Sequence, residues 1–212
     1  MKPNYKIQSF FYDLIDVIYF SNKKRSPRTA LLDLIPNTSL NVLDLCAGTC
    51  SNSILIAKNK PHSKITVLDL SAEMLKIAEK KIYKQGIDNI TISVGDACNT
   101  GLPDNFFDVI ILSLVLHEMN TELHKNILLE AKRILNEKGQ IIIIEWEQPK
   151  KLIQRIVFMS IKLFEPKEFI QFMKEDLVDY FQKFEFNVLR KNSCDYTQII
   201  QLTKLAPAGL RR

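Results

Sequence analysis

The stretch "VLDLCAGTCSNS", residues 42–53, begins as an apolar strand, runs into an acid at Asp44, and opens an apolar helix through a loop of very small residues. That is the order of a nucleotide-binding turn at the end of a buried strand. Such turns usually read Gly-x-Gly-x-Gly, and this one reads Cys46-Ala47-Gly48-Thr49-Cys50. Two questions follow from the substitution: which nucleotide the loop suits, and whether the cysteines serve a metal or redox chemistry instead.

From residue 40 onward the chain alternates between strand and helix patterns. "LNVLDL", "KITVLDL", "ITISV", "FDVIILS" and "QIIIIEW" are β-branched and nearly continuously apolar, as strands buried on both faces are. Between them, Ser71 caps a predicted helix "AEMLKIAEKKIYKQ" with Glu73 in its first turn and Gly86 as its stop. A second predicted helix spans Thr121 to Leu135, burying Leu123, Ile127, Leu128, Ala131 and Ile134, with Gly139 just beyond. Alternation of this kind predicts a doubly wound parallel α/β sheet with right-handed crossovers. After Trp146 the rhythm changes. Helices are expected over 152–164 and 166–182, and "FNVLRK" and "TQIIQLTK" should pair antiparallel. Before the sheet, Ile7, Phe10, Phe11, Leu14 and Ile18 predict an amphipathic helix over 5–20, with Tyr5, Tyr12 and Tyr19 on one stripe. It reads either as a lid or as ordinary packing.

In such a sheet, ligands bind beyond the carboxyl ends of the strands. Asp44 ends the first strand, Asp69 the second, Asp96 follows the third, Ser113 ends the fourth and Glu145 the fifth. One Asp at a strand end is ordinarily a cap or turn former, so the weight lies in the ordered set. Asp69, about 20 residues after Gly48, is placed to bond ribose hydroxyls, which alone would fit NAD. Against NAD, Ser51 stands where the dinucleotide pattern needs its third glycine. A carboxylate at Asp44 would also repel a pyrophosphate and suits a ligand with a cationic end. Asp96 suits an adenine amino group.

Taken together, "VLDLCAGTC", "VLDLSAEML", "GDA…LPDNFFDVI", "LVLHEM" and "RILNEKGQIII" resemble the ordered motifs of class I S-adenosylmethionine-dependent methyltransferases, over residues 38 to 145. The resemblance implies a Rossmann-like, seven-stranded, mostly parallel sheet with an antiparallel C-terminal strand. It implies Asp44 below the amino-acid part of S-adenosylmethionine, with Cys46, Ala47 and Gly48 as the backbone beside it. It further implies Asp69 on the ribose, Leu70 and Met74 beside the adenine, Asp96 and Ala97 at its edge, and Ser113 near the methionine part. "LDLCAGT" and "FFYDLIDVIYF" are similar to quinone-type C-methyltransferases. That likeness thins after "LSLVLHEM", so their substrate is not carried over, and "LHEM" and "IIIIEW" look like general small-molecule methyltransferases. The Asn-Pro-Pro-Tyr type motif of DNA and glutamine-amide methyltransferases is absent.

The cysteines read as packing. Cys46 and Cys50 lack a second pair at metal spacing, and three histidines are in the chain, so no metal site is expected. Both are expected to replace glycines whose backbone angles do not demand glycine, with Gly48 the position that does. Cys98 is a neighbour of the same site. Of 212 residues, 46% are hydrophobic, enough for a single domain: residues 1–37 as N-terminal cap helices, 38–205 as core, 206–212 as a tail. The 29 Lys and Arg against 24 Asp and Glu are dispersed, which excludes a nucleic-acid footprint. "FFYDLIDVIYF" is too short to span a bilayer. Four cysteines without a visible export signal predict a cytoplasmic protein.

Methyl transfer from a sulfonium needs orientation more than a strong base. His117, just past the fourth strand, is the candidate to take or steer an acceptor proton, or else it packs or caps the next helix. Glu145, Tyr5 and Tyr12 are further acceptor-side candidates. Phe158, Phe164, Phe169 and Phe172 either roof an apolar pocket or are core. The predicted function is methylation of a small, partly apolar molecule. The alternatives are a cofactor-binding partner protein without transfer activity and an NAD(P) oxidoreductase.

Overall fold

The computed structural model describes residues 26–152, 154–155, 158–159 and 167–205. The helix expected over residues 5–20 and the tail 206–212 lie outside them. In chain order the elements are α1 (Pro27–Leu34), β1 (Asn41–Leu45), α2 (Ser51–Asn59), β2 (Lys64–Asp69), α3 (Ala72–Lys84), β3 (Ile90–Val94) and β4 (Phe107–Ser113). A 3₁₀ turn (Leu116–Glu118) precedes α4 (Thr121–Ile134), β5 (Leu135–Trp146), α5 (Lys167–Phe172), α6 (Leu177–Lys183), β6 (Phe186–Cys194) and β7 (Thr197–Lys204). The strands form one seven-stranded sheet in the order β3-β2-β1-β4-β5-β7-β6. Neighbours from β3 to β5 pair in parallel, and β7 runs antiparallel to both β5 and β6.

The apolar runs are continuous because both sheet faces are covered. Alternate side chains go to opposite layers. Leu43, Leu45, Ile110, Leu112, Ile141 and Ile143 pack with Ile127, Leu128, Ala131 and Ile134 of α4. Val42, Val67, Val109, Ile111, Ile142 and Ile144 pack with Leu31, Ile56, Leu75 and Ala78 from α1, α2 and α3. Ser71 caps α3 by accepting from Met74 N–H at 3.3 Å, and Asn120 caps α4 by accepting from Leu123 N–H at 3.0 Å. Four successive isoleucines in β5 would allow a slipped register. Gln140 fixes it, donating to the Leu34 carbonyl at 2.8 Å and accepting from Gln201 Nε2 at 2.5 Å.

Two elements differ from expectation. The helix predicted over 166–182 is two helices, because Asp176 leaves helical geometry and caps α6 by accepting from Val178 N–H at 2.8 Å. And β5 begins at Leu135, directly on the end of α4, rather than at Gln140. Gly139 therefore lies inside a strand, not after a helix. A Cβ there would stand 2.7 Å from Leu135 Cδ1 and 3.0 Å from the Phe107 carbonyl, so room is what that position requires.

Candidate cofactor and acceptor site

Asp44, near the end of β1, is buried at 2% exposure beneath the loop that follows. Ser53 of α2 donates its hydroxyl to Asp44 Oδ2 at 2.5 Å. Burial is the main reason the Asp44 carboxyl titrates at about 6, although the Ser53 hydrogen bond pulls the other way. Ser53 was not singled out in the sequence; its signal was a polar residue on an otherwise apolar helix face.

The loop turns on three left-handed residues, Cys46 at φ 61°, Gly48 at φ 55° and Cys50 at φ 62°. The need for this conformation at Gly48 was expected. The expectation that Cys46 and Cys50 replace glycines with undemanding angles is wrong, since both occupy the region that favours glycine. The backbone is held there by its own bonds: Cys46 and Ala47 N–H both donate to the Leu68 carbonyl, at 2.8 and 3.3 Å, and Cys50 N–H donates to the Ala47 carbonyl at 2.9 Å. Packing offsets the strain at Cys50, which is fully buried in the core layer of α1 and α2. Cys46 and Cys98 are half-buried against the opposite layer.

Asp69 joins the loops. Its Oδ2 accepts from Gly48 N–H at 2.7 Å and its Oδ1 from Ser71 N–H at 2.8 Å. Each oxygen keeps a lone pair for a further donor. Leu70 beside it is 74% exposed, whereas Met74 is buried. Past β3, Asp96 is exposed and accepts from Cys98 N–H at 2.8 Å, and Ala97 is buried. Ser113 is half-buried at the end of β4. Burial first, then the carboxylates of Asp69, Asp44 and Asp96 among the nearby groups, push the Cys46 thiol up to about 12, which suppresses its thiolate. All four cysteines are free. Among the described residues no three metal-binding side chains converge.

On the other side of the sheet's carboxyl edge, Glu145, the residue before the last of β5, is fully buried. Its Oε1 accepts from Val115 and Leu116 N–H at 3.0 and 2.8 Å, and its Oε2 lies 2.7 Å from His117 Nδ1. His117 is 1% exposed and meets Phe169 and Trp146 edge-on, at ring-centre distances of 5.5 and 6.3 Å. The turn is also held from α4, where His124 Nε2 lies 2.5 Å from the Leu116 carbonyl and its Nδ1 2.5 Å from the Tyr180 hydroxyl. Phe158, Phe169 and Phe172 are all buried in apolar clusters. Phe164 and the tyrosines Tyr5 and Tyr12 lie outside the described residues.

Residues 42–139 match the family model of a methyltransferase domain. Over 158 residues the chain is 32% identical to a demethylmenaquinone methyltransferase of Thermotoga maritima, covering 73% of this chain and 66% of that protein. It is 34% identical over 110 residues to the enzyme of the same name from Listeria welshimeri, covering 51% of this chain and 46% of that one. The chain thus spans about half the length of the Listeria relative. A solved S-adenosylmethionine-dependent methyltransferase of Aquifex aeolicus shares the fold at 17% identity, with a TM-score of 0.72 over 95% of this chain and 98% of that one. By sequence match and by strand order alike, the chain belongs to the class I S-adenosylmethionine-dependent methyltransferase superfamily.

Proposed function

We propose that the chain transfers the methyl group of S-adenosylmethionine to a small, partly apolar acceptor, a hydroxylated aromatic ring of the quinone type. The observation that carries the donor side is the bond from Gly48 N–H to Asp69, which brings the loops after β1 and β2 to one edge. The residues fit the group. Asp69 has lone pairs left for ribose hydroxyls, with Leu70 and Met74 toward the adenine and Asp96 and Ala97 at its edge. Cys46, Ala47 and Gly48 form the backbone cradle, where a Cβ on Gly48 would enter open space. Asp44 complements the cationic amino-acid end, and Ser113 lies toward the methionine part.

When bound, the sulfonium supplies an already activated methyl group. What remains for the chain is alignment in a dry pocket, worth roughly 7–11 kcal/mol. With Nδ1 turned to Glu145, the proposed route for the acceptor's proton as the new bond forms is Nε2 of His117, which lies 3.9 Å from the Glu118 carboxylate. Relatives named for demethylmenaquinone, together with "LDLCAGT", support the quinone-type ring. Dispersed charge supports a small acceptor over nucleic acid, and four free thiols support a reducing, cytoplasmic setting. No described helix is long and apolar enough to cross a membrane.

One observation favours a second reading, cofactor binding without transfer: His117 is sealed against Trp146 and Phe169. Thermal shift and methyl-transfer assays separate the readings. S-adenosylhomocysteine at 100 times its Kd should add about 2.7 kcal/mol of stability, and NAD none. A shift with NAD alone would reject the donor assignment. A shift with S-adenosylhomocysteine, but no turnover on a demethylmenaquinol analogue or a panel of small phenols, would select the second reading.

A further inference from the structure

Between β3 and β4 the chain runs from Gly95 to Phe106 without a helix or a strand, yet this loop carries Asp96 and Ala97. In its middle it is fixed at Thr100, and the partner is on α4. One oxygen of the Glu130 carboxylate, Oε1, accepts from Thr100 N–H at 2.8 Å and from the Thr100 hydroxyl at 2.6 Å. The same hydroxyl accepts from Leu102 N–H at 3.1 Å. Glu130 is itself held by Arg133, which donates from Nη2 to Oε1 at 2.6 Å and from Nε to Oε2 at 2.8 Å. Arg133 also reaches Asp104, so the same guanidinium grips the far end of the loop. Glu130 is only 8% exposed, and the Arg133 and Thr100 donors hold its carboxyl down at about 2 despite that burial. A charge kept this far from water is strongly oriented by its partners.

We infer that Glu130 is a positioning residue for the nucleoside end of the donor: through Thr100 it sets the loop so that Asp96 and Ala97 face the base. Of the side chains on α4 that brace this loop, Glu130 is the one that holds the residue nearest Asp96 and Ala97, through two hydrogen bonds to Thr100. Within the loop, Asp96 is steadied by Cys98 N–H at 2.8 Å, and Asn99 N–H donates to the Asp96 carbonyl at 3.1 Å. Those local bonds fix the turn's shape. Against the rest of the molecule the loop is tied at its start by Gly95 N–H to the Asp69 carbonyl at 3.0 Å, at its end by Asn105 and Phe106 N–H to the Arg133 and Ile134 carbonyls at 3.0 and 2.8 Å, and in its middle, just past Asp96 and Ala97, by Glu130.

The inference rests on the proposed donor assignment and is tested with base discrimination. The intact protein is titrated calorimetrically with S-adenosylhomocysteine and with S-inosylhomocysteine, in which a carbonyl oxygen replaces the amino group that Asp96 would accept from. The wild type should prefer the adenosyl ligand by about tenfold or more. Thr100→Val and Glu130→Leu should each cut that preference about fivefold to tenfold. Glu130→Gln should retain most of it, because its amide oxygen still accepts from Thr100. Asp96→Ala is the control. If Asp96→Ala abolishes the preference while folded Thr100→Val and Glu130→Leu keep it, the inference is overturned and the donor assignment stands. If Asp96→Ala leaves it and Thr100→Val removes it, the loop is positioned by Glu130 but reads the base through another group. If none of the three variants changes it, both fail. Thr100→Val removes a single hydroxyl, so it decides the matter if Glu130→Leu does not fold.

Discussion

The Asp69 carboxylate accepts a 2.7 Å hydrogen bond from the backbone N–H of Gly48, a residue 21 positions earlier in the chain. The acid that would bind ribose therefore also sets the shape of the loop beside it. Asp69→Ala should weaken S-adenosylhomocysteine binding by about 1–3 kcal/mol. It should also loosen the loop, seen as faster amide exchange at Gly48. Unchanged affinity would remove Asp69 from the site.

Asp44 makes affinity and stability depend on pH in opposite senses. Its carboxyl is held at about 6, above its ordinary 3.8. A group raised in this way lends stability that is complete below about 3.8 and is lost as pH rises through 6, to the extent of about 3 kcal/mol. Asp44→Asn should flatten that part of the stability–pH curve in chemical denaturation. In the wild type, affinity for S-adenosylmethionine should rise through the same window, because only the ionised form attracts a cationic amino-acid end. A pH-independent Kd would contradict the placement of Asp44.

The left-handed cysteines give a conformational test. Cys46→Gly should be neutral or stabilising by up to about 1 kcal/mol, since glycine adopts φ 61° without a Cβ penalty. Cys46→Val should destabilise by about 1–2 kcal/mol or more, because a β-branched residue tolerates that region poorly. Thermal midpoints of the two variants decide it, and equal values would mean the angle carries no cost. Alkylation of Cys46 should be slow, given a thiol pushed up to about 12, and slower still with S-adenosylhomocysteine bound.

For the acceptor side, His117→Ala should lower kcat by about 10²-fold or more with little change in S-adenosylhomocysteine affinity. Glu145→Gln keeps the shape but weakens the hold on the Nδ1 proton, so it should lower kcat less than His117→Ala does. A variant lacking residues 1–20 should bind cofactor without turning over. Full activity in His117→Ala would leave that histidine a packing role alone.

The strands β1, β2 and β4 were legible because a segment buried on both faces can contain little except apolar residues, and "FDVIILS" or "KITVLDL" admits few other readings; β3, at the sheet edge and only partly buried, was legible from its β-branched residues. Asp69 was legible as a candidate through its spacing from Gly48, but the hydrogen bond between the two was not anticipated. The Glu145–His117 pair was not: the two are 28 positions apart and meet because β4 and β5 pair Ser113 with Ile144, a register no local pattern announces. The φ values of Cys46 and Cys50 were hidden for a different reason. Cys46 is held by an acceptor on another strand, the Leu68 carbonyl, and Cys50 by the Ala47 carbonyl within the loop that this acceptor shapes. The break at Asp176 had a local signal, an Asp ahead of an apolar run, but apolar periodicity on both sides concealed it.

The last described strand, β7, is inserted between β5 and β6 rather than added at an edge. As the chain leaves the ribosome, β5 must therefore wait, its isoleucine run open along one side, until residues 197–204 emerge. A chain cut short before residue 197 would keep that side open permanently. Its expected fate is coalescence through β5 into insoluble material, rather than a slightly less stable enzyme.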